Sequence, residues 1–255
     1  MSTTEQPTVH TSNEEPPSKK IKTVSAMQSF LKTHPKLPSK PLVWIDCEMT
    51  GLDVFGGDNI IEICCIITDG NLNIVDEVGY ESTIYYPKER LDEMNPWCIE
   101  THGKSGLTQK ILDHPEQTLE KVQRELLEYI KKYIPEQRTG LIAGNSVHMD
   151  KFFMMKEFPE VIEHLHYRLI DVSSIMETGY RHNPALMKCC PKKVQLHTAK
   201  SDILESINQL KWYVKYYLKS ESESQDVMQE YEKQNKVENA NGKEGDKEDK
   251  NGEGK

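Results

Sequence analysis

The sequence lacks any apolar stretch near the twenty residues that a membrane-spanning helix needs, and it lacks a secretory leader. No membrane association is therefore expected, and an intracellular protein with reduced thiols is. Its six cysteines include no C-x-x-C pair, which argues against a zinc site. Several of them lie in apolar runs and read as small core residues. Hydrophobic residues are scarce for a fully globular chain, at 36%. The shortfall is concentrated at the ends. Residues 1–40 are rich in Ser, Thr, Pro, Glu and Lys, and residues 221–255 in Glu, Asp, Lys, Asn and Gly. Both are expected to be disordered, which leaves 41–220 as one domain. A basic excess is missing too. The chain carries a net charge of −9, of which the N-terminal arm contributes +3, the tail −5 and the central domain −7. Long nucleic acid rewards many phosphate contacts, so this domain would grip it poorly. A short anionic substrate held by metal ions and a few local donors is not excluded.

What is present reads as an α/β domain. Apolar runs at 42–48 and 60–68 predict buried strands, and Asp69-Gly70 predicts a hairpin-grade turn. A third strand region is expected over 73–78 and 80–86, making an antiparallel meander. Short helical pieces are expected at 96–101 and 106–112. Apolar residues at 119, 122, 126, 129, 130 and 133 have the spacing of an amphipathic helix over 118–133. A short strand at 141–144, a helix at 149–156, a strand at 167–171 and a helix from 172 to 178 follow. A last helix is expected over 198–218.

The first strand ends in Asp46-Cys47-Glu48. Side chains at i and i+2 of a strand share a face, so Asp46 and Glu48 project side by side. Neighbouring carboxylates inside a fold repel one another, and a divalent cation compensates them because hard cations take oxygen ligands. An exposed acidic strand end is the plainer alternative. Asp150 follows the strand at 141–144, where ligands gather in open α/β sheets, or else caps a helix start. His197 and Asp202 flank the start of the last helix, where a capping or dipole role would also account for them.

Four segments are more specific together than any of these positions alone. WIDCEMTGLD at 44–53, AGNSVHMD at 143–150, HYRLIDVSS at 166–174 and HTAKSDILES at 197–206 resemble the oligoribonucleases. These are the DEDDh branch of the DnaQ-like 3′→5′ exonucleases, and the fungal, mitochondrion-associated members are the most similar. The resemblance spans about residues 42–218. It implies an RNase H-like exonuclease fold, a mixed central sheet flanked by helices. It implies metal ligation by Asp46, Glu48, Asp150 and Asp202, with two Mg²⁺ or Mn²⁺ ions per active site. His197 matches the histidine that names the class and would take a proton from the attacking water. The implied reaction degrades short oligoribonucleotides, dinucleotides above all, to nucleoside 5′-monophosphates.

The resemblance also implies substrate contacts. Leu52 would wedge between two bases and Trp97 would stack on the 3′ base; a core tryptophan is the alternative for Trp97. His102 would lie near the substrate. Ser146, Arg168 and Ser173 would hold the 5′ phosphate of a very short substrate. Tyr167 would serve the partner's active site in trans, which makes the expected protein a homodimer. The glycine-rich loop 54–58 is longer than in bacterial relatives, a departure expected to affect substrate preference and not the metal site. A proofreading or repair-type DNA exonuclease of the same superfamily is the nearest rival reading. A catalytically idle RNA-binding or recruitment module is the rival from another class, and filled catalytic positions argue against it. The mitochondrion is the compartment implied by resemblance, with cytoplasm or nucleus left open by the Lys19-Lys20-Ile21-Lys22 cluster and the acidic first residues.

Overall fold

The computed structural model describes residues 37–192 and 198–234. Most of the arm expected to be disordered, the end of the tail and His197 therefore lie outside the described residues. The described residues from Pro38 onward belong to one compact unit. Its centre is a five-stranded sheet in the order β3-β2-β1-β4-β5. The strands are β1 (Leu42–Met49), β2 (Ile60–Thr68), β3 (Tyr80–Thr83), β4 (Leu141–Gly144) and β5 (Leu169–Asp171). β1 pairs antiparallel with β2 and β2 with β3, while β4 and β5 continue the sheet in parallel from β1. The sheet is mixed, as the resemblance implies.

Alternation along β1 sorts its side chains between two layers. Val43, Ile45 and Cys47 face one core, with Ile63, Cys65 and Ile67 of β2. That core is closed by helix α4 (Leu119–Tyr133) through Val122, Leu126 and Ile130. Leu42 and Trp44 face the other, with Cys64 and Ile66. Helix α9 (Ala199–Tyr216) covers it through Ile203, Ile207 and Leu210. Trp44 is fully buried there, and its indole N–H donates to Thr68 Oγ1 at 3.0 Å, which removes the cost of burying that donor. The period of two along β1 then puts Asp46 and Glu48 on the α9 side.

Between β3 and β4 run α1 (Lys88–Asp92), α2 (Pro96–Lys104), α3 (Leu107–Leu112) and α4. Between β4 and β5 run α5 (His148–Glu157) and α6 (Pro159–His164); α7 (Val172–His182) and α8 (Pro184–Met187) follow β5. The short helices α1, α6 and α8 are absent from the sequence-based expectation. Each is under two turns, too short for a 3.6-residue period to register, although Pro159 and Pro184 stand at the first helical position that favours proline.

The third strand is shorter than expected. Residues 73–78 contribute only a single bridge between Thr68 and Ile74. The Asp69 carboxylate accepts from the backbone N–H groups of Asn71 and Asn73, and Leu72 turns left-handed (φ 66°). These contacts commit the chain to a turn. Gly79, at φ 72°, brings it back to the sheet, so pairing resumes only at Tyr80. The tail begins as a short 3₁₀ turn at Ser222–Ser224 followed by helical backbone over 225–234, with its side chains mostly exposed. Residues 235–255 lie outside the described residues.

The loop from β1 to β2 is fastened at its far end by Glu157 of α5, which is buried. Its carboxylate accepts from Ile60 N at 2.9 Å and from Asn59 Nδ2 at 2.8 Å. Glu157→Ala leaves two donors without partners and should lower stability by about 1–3 kcal/mol. An unchanged urea midpoint would show that the Glu157 latch contributes nothing.

Candidate active site

The carboxyl ends of the three parallel strands β1, β4 and β5 meet at one edge of the fold. Ligands gather at such ends, and the sequence-predicted residues are distributed there. Asp46 and Glu48 close β1. Gly144 closes β4, and the chain passes through Ser146 to α5 and Asp150. Asp171 closes β5 and leads to Ser173 on α7. β4 comes close to β1 because residue 144 is glycine: a Cβ there would sit 2.9 Å from Ile45 O.

Asp150 lies in the first turn of α5 and is buried. Its Oδ1 accepts from the backbone N–H of Cys47 at 2.9 Å. Cys47 is the residue between Asp46 and Glu48, so this bond ties α5 to the strand at the acidic pair. Asp150 is thus a buried, inward-turned carboxylate, unlike a solvent-facing helix cap. Asp202 occupies the first turn of α9, after the Thr198 cap.

The Glu48 carboxyl is pushed up to about 7, first by burial and then by Glu62, Asp202 and Asp150. Burial raises Asp150 to about 6, against the hydrogen bond from Cys47. The Cys47 thiol is driven up by burial and by its acidic neighbours, so it is not a thiolate nucleophile. Three separate elements therefore bring Glu48, Asp150 and Asp202 within electrostatic reach of one another, with Asp46 beside them on β1. Among the described residues no three His, Cys, Asp or Glu side chains form a ready-made cation cage. Like-charged carboxylates stand apart unless a cation draws them in. The donor set, largely buried carboxylate oxygens drawn from three elements, fits a hard divalent cation. His197 lies outside the described residues.

Leu52 and Trp97 share a cavity wall with Glu48, and Tyr167 stands on a separate face; all three are apolar or aromatic side chains left uncovered. Leu52 is 73% exposed, Trp97 68% and Tyr167 71%. Trp97 is therefore no core tryptophan. Leu52 sits on a stiffened loop: Asp58 accepts from Thr50 Oγ1 at 2.8 Å and from Asp53 N at 2.9 Å, and Arg90 donates to Gly57 O at 2.9 Å. Gly51 is needed there, because a Cβ would meet the Asp58 carboxylate at 2.3 Å. Met49, Leu52, Trp97 and His102 line a cavity of about 380 Å³. His102 departs from the picture of an open substrate contact. It is 2% exposed, with Nε2 3.0 Å from Met49 O and Nδ1 4.0 Å from Glu48 Oε2. Burial lowers its pKa, so it buttresses the end of β1 as a neutral ring.

Ser146 and Ser173 are brought together, with their hydroxyl oxygens 3.2 Å apart. Ser146 is held left-handed, at φ 52°, a strained state for a residue with a Cβ. Asp171 supports it, accepting from Ser146 N at 3.0 Å and from Ser173 N at 2.9 Å, and His148 Nδ1 lies 3.1 Å from its other oxygen. Arg168 is placed against Tyr167, donating to its hydroxyl at 3.1 Å with the guanidinium 5.5 Å from the ring centre.

Sequence reasoning overlooked Asp171, His148, Glu62 and Lys110. Asp171 and His148 stand inside segments already singled out, so proximity to a motif was the available signal. Glu62 had a sharper one, a lone acid in the apolar run IIEICCIIT. Lys110 had none, since its partners lie 48 and 29 residues away.

Comparison with known proteins shows the family. Residues 43–210 match the RNase T family of exonucleases. The chain is 57% identical to the mitochondrial oligoribonuclease of Saccharomyces cerevisiae, over 81% of this chain and 79% of that one. It is 46% identical to the human mitochondrial oligoribonuclease, over 68% and 71% of the respective chains. Two more distant solved structures share the fold. Magnesium- and manganese-bound Pop2p of S. pombe superposes with a TM-score of 0.54 at 15% identity, over 77% of this chain and 89% of that one. Escherichia coli exonuclease I in complex with a dA16 oligonucleotide gives 0.53 at 14% identity, over 69% of this chain and 41% of its own longer chain.

The raised Glu48 pKa has a consequence for the metal-free protein. A carboxyl whose folded pKa lies above its ordinary 4.5 contributes stability at low pH that is lost as pH rises through about 7. In chelator, thermal stability should therefore fall between pH 5 and pH 7.5, and Glu48→Gln should flatten that fall. Parallel profiles for the two proteins would show that Glu48 is not the strained group.

Proposed function

The chain belongs to the oligoribonuclease family of exonucleases, and from that membership we propose that it shortens oligoribonucleotides from their 3′ ends. Its products are nucleoside 5′-monophosphates, and its preferred substrates are dinucleotides. The observation that carries the reading is the Asp150 carboxylate fastened to the amide between Asp46 and Glu48.

Asp46, Glu48, Asp150 and Asp202 would hold the divalent cations, two of Mg²⁺ or Mn²⁺. When bound, these supply Lewis-acid stabilisation of the charge that builds on the phosphoryl and leaving oxygens. The solved relative bound to both metals supports divalent-metal use in this fold. His197 accepts the proton of the attacking water, for which a near-neutral pKa suits it. Trp97 offers its exposed indole to the 3′ base and Leu52 separates that base from its neighbour. Stacking suits any base, which fits a degradative enzyme. Ser146, Ser173 and Arg168 receive the 5′ phosphate. The cluster needs Asp171 to keep Ser146 in its strained conformation. Closure at the 5′ end favours dinucleotides over long RNA, as does a net-negative domain.

The second part of the proposal is a homodimer in which each active site receives Tyr167 from the partner subunit. Tyr167 is exposed and rigidly held, its ring stacked on His166 with centroids 4.6 Å apart. It also lines an apolar cavity of about 420 Å³ with Ile142, Met155, Ile162 and Leu165, a face suited to burial against another copy. The mitochondrion is the proposed compartment, since the yeast and human relatives carry that name. Among the described residues no helix is long and apolar enough to cross a membrane.

Asp202→Ala should abolish hydrolysis of a diribonucleotide while unfolding in EDTA at nearly the wild-type temperature, because it removes a ligand and opens no core cavity. Turnover by the folded variant would contradict the metal assignment. His197→Ala should lower kcat by about 10²–10⁴-fold and leave metal affinity near normal. Lost metal affinity with an intact rate in excess Mn²⁺ would instead make His197 a ligand.

For the dimer, Tyr167→Ala should be nearly inactive yet regain activity when exchanged with inactive Asp46→Ala chains. Each heterodimer can rebuild one site of its pair, so recovery should approach about half the wild-type rate. Verified heterodimers without activity would rule out the contribution in trans.

A further inference from the structure

A charged cavity lies beside the acidic end of β1. Its volume is about 280 Å³, and Glu48, Glu62, Trp97, His102 and Lys110 are in its wall. Glu62 is the Cα partner of Glu48 across the β1–β2 ladder, so the two side chains leave the same face of the sheet. Glu62 is only 7% exposed. Lys110, from α3, donates to Glu62 Oε1 and to Glu81 Oε1, each at 2.8 Å. Burial alone would depress the Lys110 ammonium, but these two bonds outweigh it and hold the lysine above its ordinary pKa.

Glu62 is nearly buried but the Lys110 side chain is 43% exposed, and such an ion pair is a weak device for stability. This pair borders an open cavity instead of packed core. The rest of the wall includes the indole proposed to carry the 3′ base and the carboxylate proposed to hold metal. A terminal nucleotide seated between them would put its sugar against the pair.

We infer that the Glu62–Lys110 pair reads the hydroxyl groups of the 3′-terminal ribose. The inference rests on the exoribonuclease reading above and adds the residues that tell ribose from deoxyribose. A cis-diol presents two O–H donors at the spacing of the two oxygens of one carboxylate. Each carboxylate oxygen has two lone pairs, so Glu62 retains acceptor capacity beside its bond to Lys110. The ammonium can in turn donate to a hydroxyl oxygen. A 2′-deoxy sugar removes one of these bonds and leaves the largely buried Glu62 carboxylate short of a donor, which is penalised. A 3′-phosphate would meet the carboxylates of Glu62 and Glu81, a like-charge clash that confines the site to free 3′ ends.

The test compares two 5′-phosphorylated dinucleotides that differ only in the 2′ position of the 3′-terminal sugar, with the full chain in Mg²⁺. The wild type should prefer the ribose form in kcat/KM by about 10- to 100-fold. Glu62→Gln and Lys110→Met should pull that ratio toward one, and Lys110→Arg should keep most of it. A purely structural role would lower both substrates equally and leave the ratio unchanged, which would overturn the inference, as would a wild type without preference. Failure of the parent reading looks different: the wild type would not cleave the diribonucleotide at all. If the variants do not fold, calorimetry on the wild type decides. Adenosine 5′-monophosphate should bind about tenfold more tightly than its 2′-deoxy counterpart, and equal affinities would overturn the assignment.

Discussion

The hydrogen bond from the Cys47 amide to the Asp150 carboxylate is the contact on which the site depends. It joins residues 103 positions apart and fixes α5 against the end of β1. β1 itself supplies two carboxylates, Asp46 and Glu48. With the bond in place a third carboxylate is held at the same spot, and α9 brings Asp202 toward Glu48 from the other layer. Burial raises the pKa of both Glu48 and Asp150, and at Glu48 the neighbouring carboxylates add to it. Burial and repulsion of this kind destabilise the bare protein. A divalent cation bound there, as proposed, would relieve that cost.

Other parts of the fold serve that edge. Gly144 lets β4 approach β1 closely, and Glu157 and Arg90 fasten the loop that displays Leu52. Buried His102 braces Met49 and faces Glu48. Asp171 accepts from the backbone N–H groups of Ser146 and Ser173 and so holds their two hydroxyls side by side. Glu157, Arg90, His102 and Asp171 each stand behind a residue proposed to touch substrate or metal, and such support is what keeps a site rigid.

Much of the central sheet and of the acidic pair was legible in the residues themselves. β1 and β2 announce themselves as continuous apolar runs, because strands covered on both faces bury nearly every side chain, and α4 by the spacing of its apolar stripe. The i, i+2 relation of Asp46 and Glu48 follows from strand geometry alone. What stayed hidden depends on pairing between distant residues. No local pattern shows that Asp150 turns inward to Cys47, that Lys110 bridges two acids from different strands, or that His102 is buried. The third strand was overextended because the side-chain hydrogen bonds of Asp69 compete with pairing in a way composition does not reveal. Helices under two turns lack the length to show a period.

The central claim is that these carboxylates form a divalent-cation centre that works on RNA from its 3′ end. The most direct measurement follows a short RNA labelled at one terminus or the other, with Mg²⁺ and again in chelator. The account predicts that the first labelled product is the 3′-terminal nucleoside 5′-monophosphate, that the 5′ label is released last, and that chelator stops the reaction. Early release of the 5′ label, internal cleavage, products ending in a 3′ phosphate, or undiminished hydrolysis in chelator would contradict it.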